Sequence, residues 1–264
     1  MGLLKLSRYL ELPDGILPIT RCKKGDIVPY VIITNTREQV EKGAELLSDV
    51  RIMIKGDEAA LTVTGKYEEL PITISNGGVG VGQTSNVMEE LIRIGGRVFI
   101  QLGAAGAIQE NINLGDIIIP TGSVRDEGLT DYYAPKQYPA VADYRIVRAL
   151  AEAATEEKYR YHTGIIRRTE GFYPSQRVEE YVKTYHDLGV LGVEQEVSGI
   201  LTICSTSGCF AGACLMVIGN LVKGQHYMKG DENEHLDRVW FEQIKVIFKA
   251  MQYLRKDNFP DITE

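Results

Sequence analysis

The sequence predicts an α/β fold of three layers, with helices on both faces of a mixed central sheet. Three observations carry that expectation. Short β-rich runs alternate along the chain with longer stretches whose apolar residues recur at helical spacing. Glycine-rich turns separate many of them, as in connections between strands and helices. The chain has 264 residues, 44% of them hydrophobic and 25% charged, which is enough to bury one sizeable core as a single unit over 1–264.

Taken in order, residues 1–26 form a mixed opening segment with turn signals at Pro13-Asp14-Gly15 and Lys23-Lys24-Gly25-Asp26, expected to lie on a partner subunit. Residues 28–33 read as a buried strand. Thr34-Asn35-Thr36 then supplies a cap for a helix over 37–47. Residues 51–70 read as strands with turns at Gly56-Asp57 and Gly65-Lys66. The stretch Ser75 to Gly128, with the strand that leads into it, organises the rest. A strand (Pro71-Ile72-Thr73-Ile74) leads into a glycine run (Gly77-Gly78-Val79-Gly80-Val81-Gly82). A helix follows, carrying Val87, Met88, Leu91 and Ile92, and then a strand from Arg97. A second glycine loop, Gly103 to Gly106, precedes another strand at 117–120. Two glycine loops at strand ends make the floor of a small-molecule site. Residues 132–143 form a loop with two prolines, and Asp143 caps a helix to about Glu156. A strand through Gly164-Ile165-Ile166, helices over 175–185 and 196–207, a strand over 213–218 and a closing helix over 236–254 complete the pattern.

Composition excludes several functions. A net charge of −7 disfavours a nucleic-acid surface. No apolar run reaches 18 residues, and the first residues lack a charged-then-apolar leader, so neither a membrane nor secretion is expected and the chain is read as cytoplasmic. Four cysteines do not make a disulfide framework. Cys204, Cys209 and Cys214 recur every five residues with no histidine close by, and His226 and His235 flank an acidic run, read as a solvated loop. No metal and no organic cofactor are expected. Gly78-x-Gly80-x-x-Gln83 misses the third glycine of the dinucleotide fingerprint, and no Walker lysine is present.

Several motifs then agree in one order. They are Gly78-Val79-Gly80, Thr84-Ser85, Glu89-Glu90-Leu91, Gly103-x-x-Gly106-Ala107-Ile108-Gln109, Gly115-Asp116 and Ser123-Val124-Arg125-Asp126-Glu127-Gly128. Tyr133-Ala134-Pro135, Tyr138-Pro139-Ala140-Val141-Ala142-Asp143, Phe172-Tyr173-Pro174-x-Gln176 and Glu194-Gln195-Glu196-x-Ser198 follow. Together they resemble the uridine phosphorylase branch of the nucleoside phosphorylase family, from about Cys22 to the final helix. The resemblance implies a phosphorylase/hydrolase-like fold and cleavage of the N-glycosidic bond of a nucleoside. It also implies a homo-oligomer, a dimer or a hexamer, with a small-molecule nucleoside as its partner and phosphate as co-substrate.

The resemblance also assigns residues. Glu196 binds the ribose hydroxyls, with Glu194 and Gln195 beside it; the other reading is a pair of carboxylates favouring a helix dipole. Phe172 stacks on the base. Gln176 pairs with a pyrimidine amide edge, since an amide donates and accepts at once. Arg177 stands one residue short of the family's arginine and otherwise reads as a surface residue. Asn220 stands where uridine-specific relatives carry asparagine, which favours a pyrimidine. Glu196, Gln176 and Arg177 are thus the catalytic candidates.

The phosphate half departs from the family. Its Gly-Asp-Pro-x-Arg loop falls on Asn35-Thr36-Arg37-Glu38-Gln39, with Gln39 at the arginine position. A second arginine falls near Glu58 and a third on Gln101. Gly103 is kept, but the threonine after it is Ala104, and the family's histidine falls near Ile19. Arg37 is the cation left in that loop, otherwise read as a first-turn residue facing solvent. Three lost charge-assisted contacts amount to about 5–9 kcal/mol on simple addition. Three functions therefore stay open: a phosphorylase, a hydrolase that uses water with Glu194 or Glu196 as base, and a non-catalytic nucleoside-binding subunit.

Overall fold

The computed structural model describes residues 13–52, 60–171, 173, 177–226 and 233–260, with side chains omitted at 13, 52 and 233–241. In chain order the elements are β1 (Tyr30–Thr34), α1 (Arg37–Ala44), β2 (Ser48–Ile52), β3 (Thr62–Tyr67), β4 (Leu70–Asn76), α2 (Val81–Arg93), β5 (Val98–Ala107) and β6 (Ile117–Val124). They continue with β7 (Ala140–Val141), α3 (Tyr144–Glu156), β8 (Tyr161–Arg168), α4 (Val178–Asp187), β9 (Gly192–Glu194), α5 (Val197–Thr206), β10 (Phe210–Asn220), β11 (Gln225–His226) and α6 (Asn233–Lys256).

The sheet is mixed, as the sequence predicted. Strands β2, β3, β4 and β1 form an open arm that joins β5. Beyond the arm the sheet closes on itself, because β5 pairs with β10 in parallel and with β9 antiparallel, and β10, β6, β8 and β9 pair in succession. Period-two side chains divide the interior into two cores. Val31, Ile33, Phe99, Ala213 and Leu215 face one core, shared with α2 and α5. Ile32, Val98, Ile100, Leu102 and Cys214 face the other, shared with α1, α3 and α6. This division makes the three layers. α4 has no buried side chain and lies outside them.

One edge of β5 changes partner along its length. Leu102 is the last residue paired with β1, and Gly106 is the first paired with β9. A gap between neighbouring strands at a switch of this kind is where open α/β sheets hold ligands.

Several expectations are corrected here. Gly103 to Gly106 is not a loop but lies within β5. A side chain at Gly103 or Gly106 would press on Leu215 or Leu221 from and beside β10, so close strand packing requires the glycines rather than a turn. Gly65-Lys66 lies inside β3, and the chain reverses at Glu68, which holds a left-handed φ of 52°. Helix α1 stops at Ala44, short of 47, and the strand over 213–218 extends to Phe210–Asn220. Apart from these corrections, the described part of the opening segment packs on α2, where Glu90 accepts from Ile19 N and from the backbone and hydroxyl of Thr20. The turn at Gly56-Asp57 falls outside the described residues. Asp143 does cap α3, accepting from Arg145 N at 2.9 Å.

Candidate active site

Two helix starts meet at the β5 gap. Gly80 is the N-cap of α2, with φ 85° and ψ 149°, a conformation open to glycine. That geometry aims its N–H at Glu196, the N-cap of α5, and the hydrogen bond to Oε1 is 2.7 Å. The two helices approach this closely because α5 carries glycine at 199; a β-carbon there would overlap Val81. The other oxygen of Glu196 accepts from Gln101 Nε2 of β5 at 3.1 Å, and the Asn35 side chain also bonds to the carboxylate. Glu196 is 5% exposed. Burial raises its pKa, opposed by the Gly80, Asn35 and Gln101 hydrogen bonds and by the charge of Arg168.

Glu194, at the end of β9, caps the same helix from below. Its Oε2 accepts from Glu196 N at 2.5 Å and Val197 N at 2.7 Å. Its Oε1 is buried and has no hydrogen-bond partner. Burial first, and the Glu196 charge second, push its pKa up to about 8, against the two backbone N–H groups and Arg168. Burial and the neighbouring Glu196 thus disfavour the charged form of Glu194, while its Oε2 accepts two backbone N–H groups.

The β1–α1 junction forms the opposite wall. Thr36 caps α1 in a capping box with Gln39. Gln39 Oε1 accepts from Asn35 N at 2.9 Å and Thr36 N at 3.0 Å, and the Asn35 side chain donates to Gly78 O at 3.3 Å. The side chain at the family's arginine position therefore closes off backbone donors that an anion would use. Gln101, at the third such position, supports Glu196 instead. Gln39 Nε2 and Gln101 Oε1 are buried without partners, like Glu194 Oε1. These three atoms leave hydrogen-bonding capacity at the two junctions and on β5.

The other sequence candidates divide. Gly103 and Ala104 line the free edge of β5. Gln195 is half-buried and donates to Glu170 O at 3.3 Å. Arg37 is exposed on the first turn of α1. Phe172 and Gln176, together with the position near Glu58, lie outside the described residues. Two candidates are turned away from this chemistry. Arg177 is exposed at the start of α4, 3.7 Å from Glu180 and stacked near Tyr181. Asn220 is fully buried, and its amide is committed to backbone. Its Nδ2 donates to Gln109 O and Ile112 O, and its Oδ1 accepts from Val222 N and Lys223 N. All four of its hydrogen-bonding sites are used, so none remains for a base.

Sequence reasoning missed Arg168. It ends β8 directly opposite Glu194, with its side chain 4% exposed, its Nε on Gln195 O at 2.9 Å and its Nη1 2.7 Å from Glu170. The available signal was the Arg167-Arg168 pair closing an apolar strand. Arg167 faces the other way, to Asp126 and to the rings of Tyr181 and Tyr185.

Comparison with known proteins agrees with this geometry. The phosphorylase superfamily profile matches residues 29–250. A uridine phosphorylase of Thermococcus kodakarensis is 34% identical, over 90% of this chain and 88% of its own. A guanosine phosphorylase of Halorubrum lacusprofundi is 31% identical, over 80% and 86%. The crystal structure of a uridine phosphorylase from Vibrio fischeri superposes with a TM-score of 0.79 at 27% identity, covering 90% of this chain and 96% of that one. With a superfamily match across most of its length and relatives above 30% identity over most of both chains, this chain belongs to the phosphorylase superfamily, as a uridine phosphorylase-like nucleoside phosphorylase.

Proposed function

We propose that this protein cleaves the N-glycosidic bond of a pyrimidine nucleoside at the Glu194–Glu196 site. The observation that carries this reading is the Glu196 carboxylate, held by Gly80 N–H and Gln101 at the β5 gap with unpartnered polar atoms around it. An ionised carboxylate is acceptor-only and suits a pair of sugar hydroxyls. Its negative charge also favours the oxocarbenium character that the sugar gains as the C1′–N bond breaks and the electron pair leaves with the base. The uridine phosphorylases among the relatives support a pyrimidine base.

A second reading concerns the nucleophile. Gln39 and Gln101 stand at arginine positions of the family's phosphate site, and both are neutral side chains spent inside the fold, Gln39 on backbone N–H groups and Gln101 on Glu196. That arrangement favours water over phosphate. Water would add to C1′, its proton passing to a carboxylate and the departing base taking up a proton. We place the protein in the cytoplasm as a homo-oligomer, dimer or hexamer. Its four described cysteines are all free, as in reducing compartments, and light scattering on the purified protein tests the assembly.

Base release from uridine, thymidine and inosine, with and without phosphate, decides among the readings. Phosphate-dependent release restores phosphorolysis and shows a replacement anion site. Phosphate-independent release makes the protein a hydrolase. Nucleoside binding without release makes it a binding subunit and overturns the catalytic reading.

A further inference from the structure

The peptide unit that joins Gln195 to Glu196 is held at both ends. Its carbonyl accepts from Arg168 Nε at 2.9 Å, and its N–H donates to Glu194 Oε2 at 2.5 Å. One residue earlier, Thr169 N donates to Glu194 O at 2.8 Å, so the end of β8 grips this segment over two successive residues. A peptide plane fixed on both edges fixes the backbone of Glu196, and with it the direction of the side chain. Arg168 is also a buried cation beside two buried carboxylates. Without such a cation the desolvation of Glu194 and Glu196 would be opposed only by neutral donors.

We propose that Arg168 is a positioning residue of this site: with Glu194 it clamps the Gln195–Glu196 peptide and so directs the Glu196 side chain, and its guanidinium supplies positive charge to that carboxylate. The proposal rests on the sugar-binding reading of Glu196. The groups around that carboxylate fit it. β5 presents neutral Gln101, the α2 start presents Gly80 N–H, and the β1–α1 junction presents Asn35. β9 presents Glu194. On the first turn of α5, Ser198 reaches buried Glu127 at 3.3 Å, which Thr130 satisfies from its own side. Glu170 is the counter-charge of Arg168 and is mostly exposed. Arg168 is therefore the cation that faces the pair among the described residues.

The experiment compares wild type, Arg168→Met and Arg168→Lys. The carboxyls are titrated by NMR with δ-13C-labelled glutamate in the free protein, and uridine binding is measured across pH. In Arg168→Met the midpoints of the pair should rise, because the charge of Arg168 lowers both carboxyls. The acid limb of uridine binding should move to higher pH by the same amount, because Glu196 protonates earlier as pH falls. Arg168→Lys restores charge without the Nε contact, so its titration should stay near wild type while its uridine affinity remains reduced. An unmoved titration in a folded Arg168→Met protein, judged by circular dichroism and melting, overturns the charge role. Should Arg168→Met not fold, a lysine variant equal to wild type in both readouts overturns the clamp. If the wild type binds no nucleoside, the functional reading fails, and the carboxyl titration still decides the role of Arg168.

Discussion

The β1–α1 and β9–α5 junctions each deliver a polar segment to a helix start, and they use it in different ways. At β1–α1 the helix is closed by neutral groups: Thr36 and Gln39 cap each other, and Gln39 absorbs the N–H groups of Asn35 and Thr36. At β9–α5 the helix start is occupied by two buried carboxylates, one with an oxygen that nothing satisfies. Neutral caps stabilise a fold at little cost, whereas buried carboxylates raise its energy unless something compensates them. The contrast teaches that the β9–α5 junction buries ionisable groups at its helix start, while the β1–α1 junction spends its backbone donors on internal hydrogen bonds.

The largest expected effect would break this comparison directly. Glu196→Gln should lower nucleoside affinity about a hundredfold, since two charge-assisted hydrogen bonds are worth about 1.5 kcal/mol or more each. Calorimetric titration with uridine checks it, and undiminished affinity would remove Glu196 from the sugar. Next, Gln39→Arg with Gln101→Arg should raise phosphate affinity about tenfold or more by returning cations to the neutral wall. Inorganic phosphate binding to the doubly substituted protein is the measurement, and no gain would mean that the cations are not what that wall lacks.

A third test sharpens the charged side. The Glu194 carboxyl rises from its ordinary value of 4.5 to about 8 in the fold. Its stabilising contribution is then complete below about pH 4.5 and is lost as pH rises through 8, because the unfolded chain ionises first. The melting temperature of wild type should fall across that window, and that of Glu194→Gln should fall less. Parallel curves would show that Glu194 is ionised throughout. The smallest effect belongs to the neutral cap. Thr36→Ala should cost about 1 kcal/mol in denaturant unfolding and leave uridine binding within twofold, so a large loss of binding would place α1 in the site after all.

Much of this was legible along the chain. The apolar run over 28–33 and the stretch from Arg97 were readable as strands, and Thr36 and Asp143 as caps. Glu194 and Glu196 could be picked out because the motif is short and local. Gly103 to Gly106 was misread as a loop, since local pattern does not distinguish a glycine that turns from one that admits a neighbouring strand. Asn220 and Arg177 were misjudged for a related reason. Type and position match the expectation, but side-chain partners are chosen by segments more than a hundred residues away or by solvent.

Sequence alone determined the layered α/β pattern, the superfamily, the paired glutamates and the absence of arginine at 39 and 101. Those are properties of residue type and local period, which need no distant partner. Only the tertiary structure decided that β5 opens an edge between β1 and β9, that Gly80 meets Glu196 across 116 positions, and that Arg168 stands opposite Glu194. Hydrogen bonds and burial between remote segments set those relations, and through desolvation and nearby charge they also raise both carboxyls above their ordinary range.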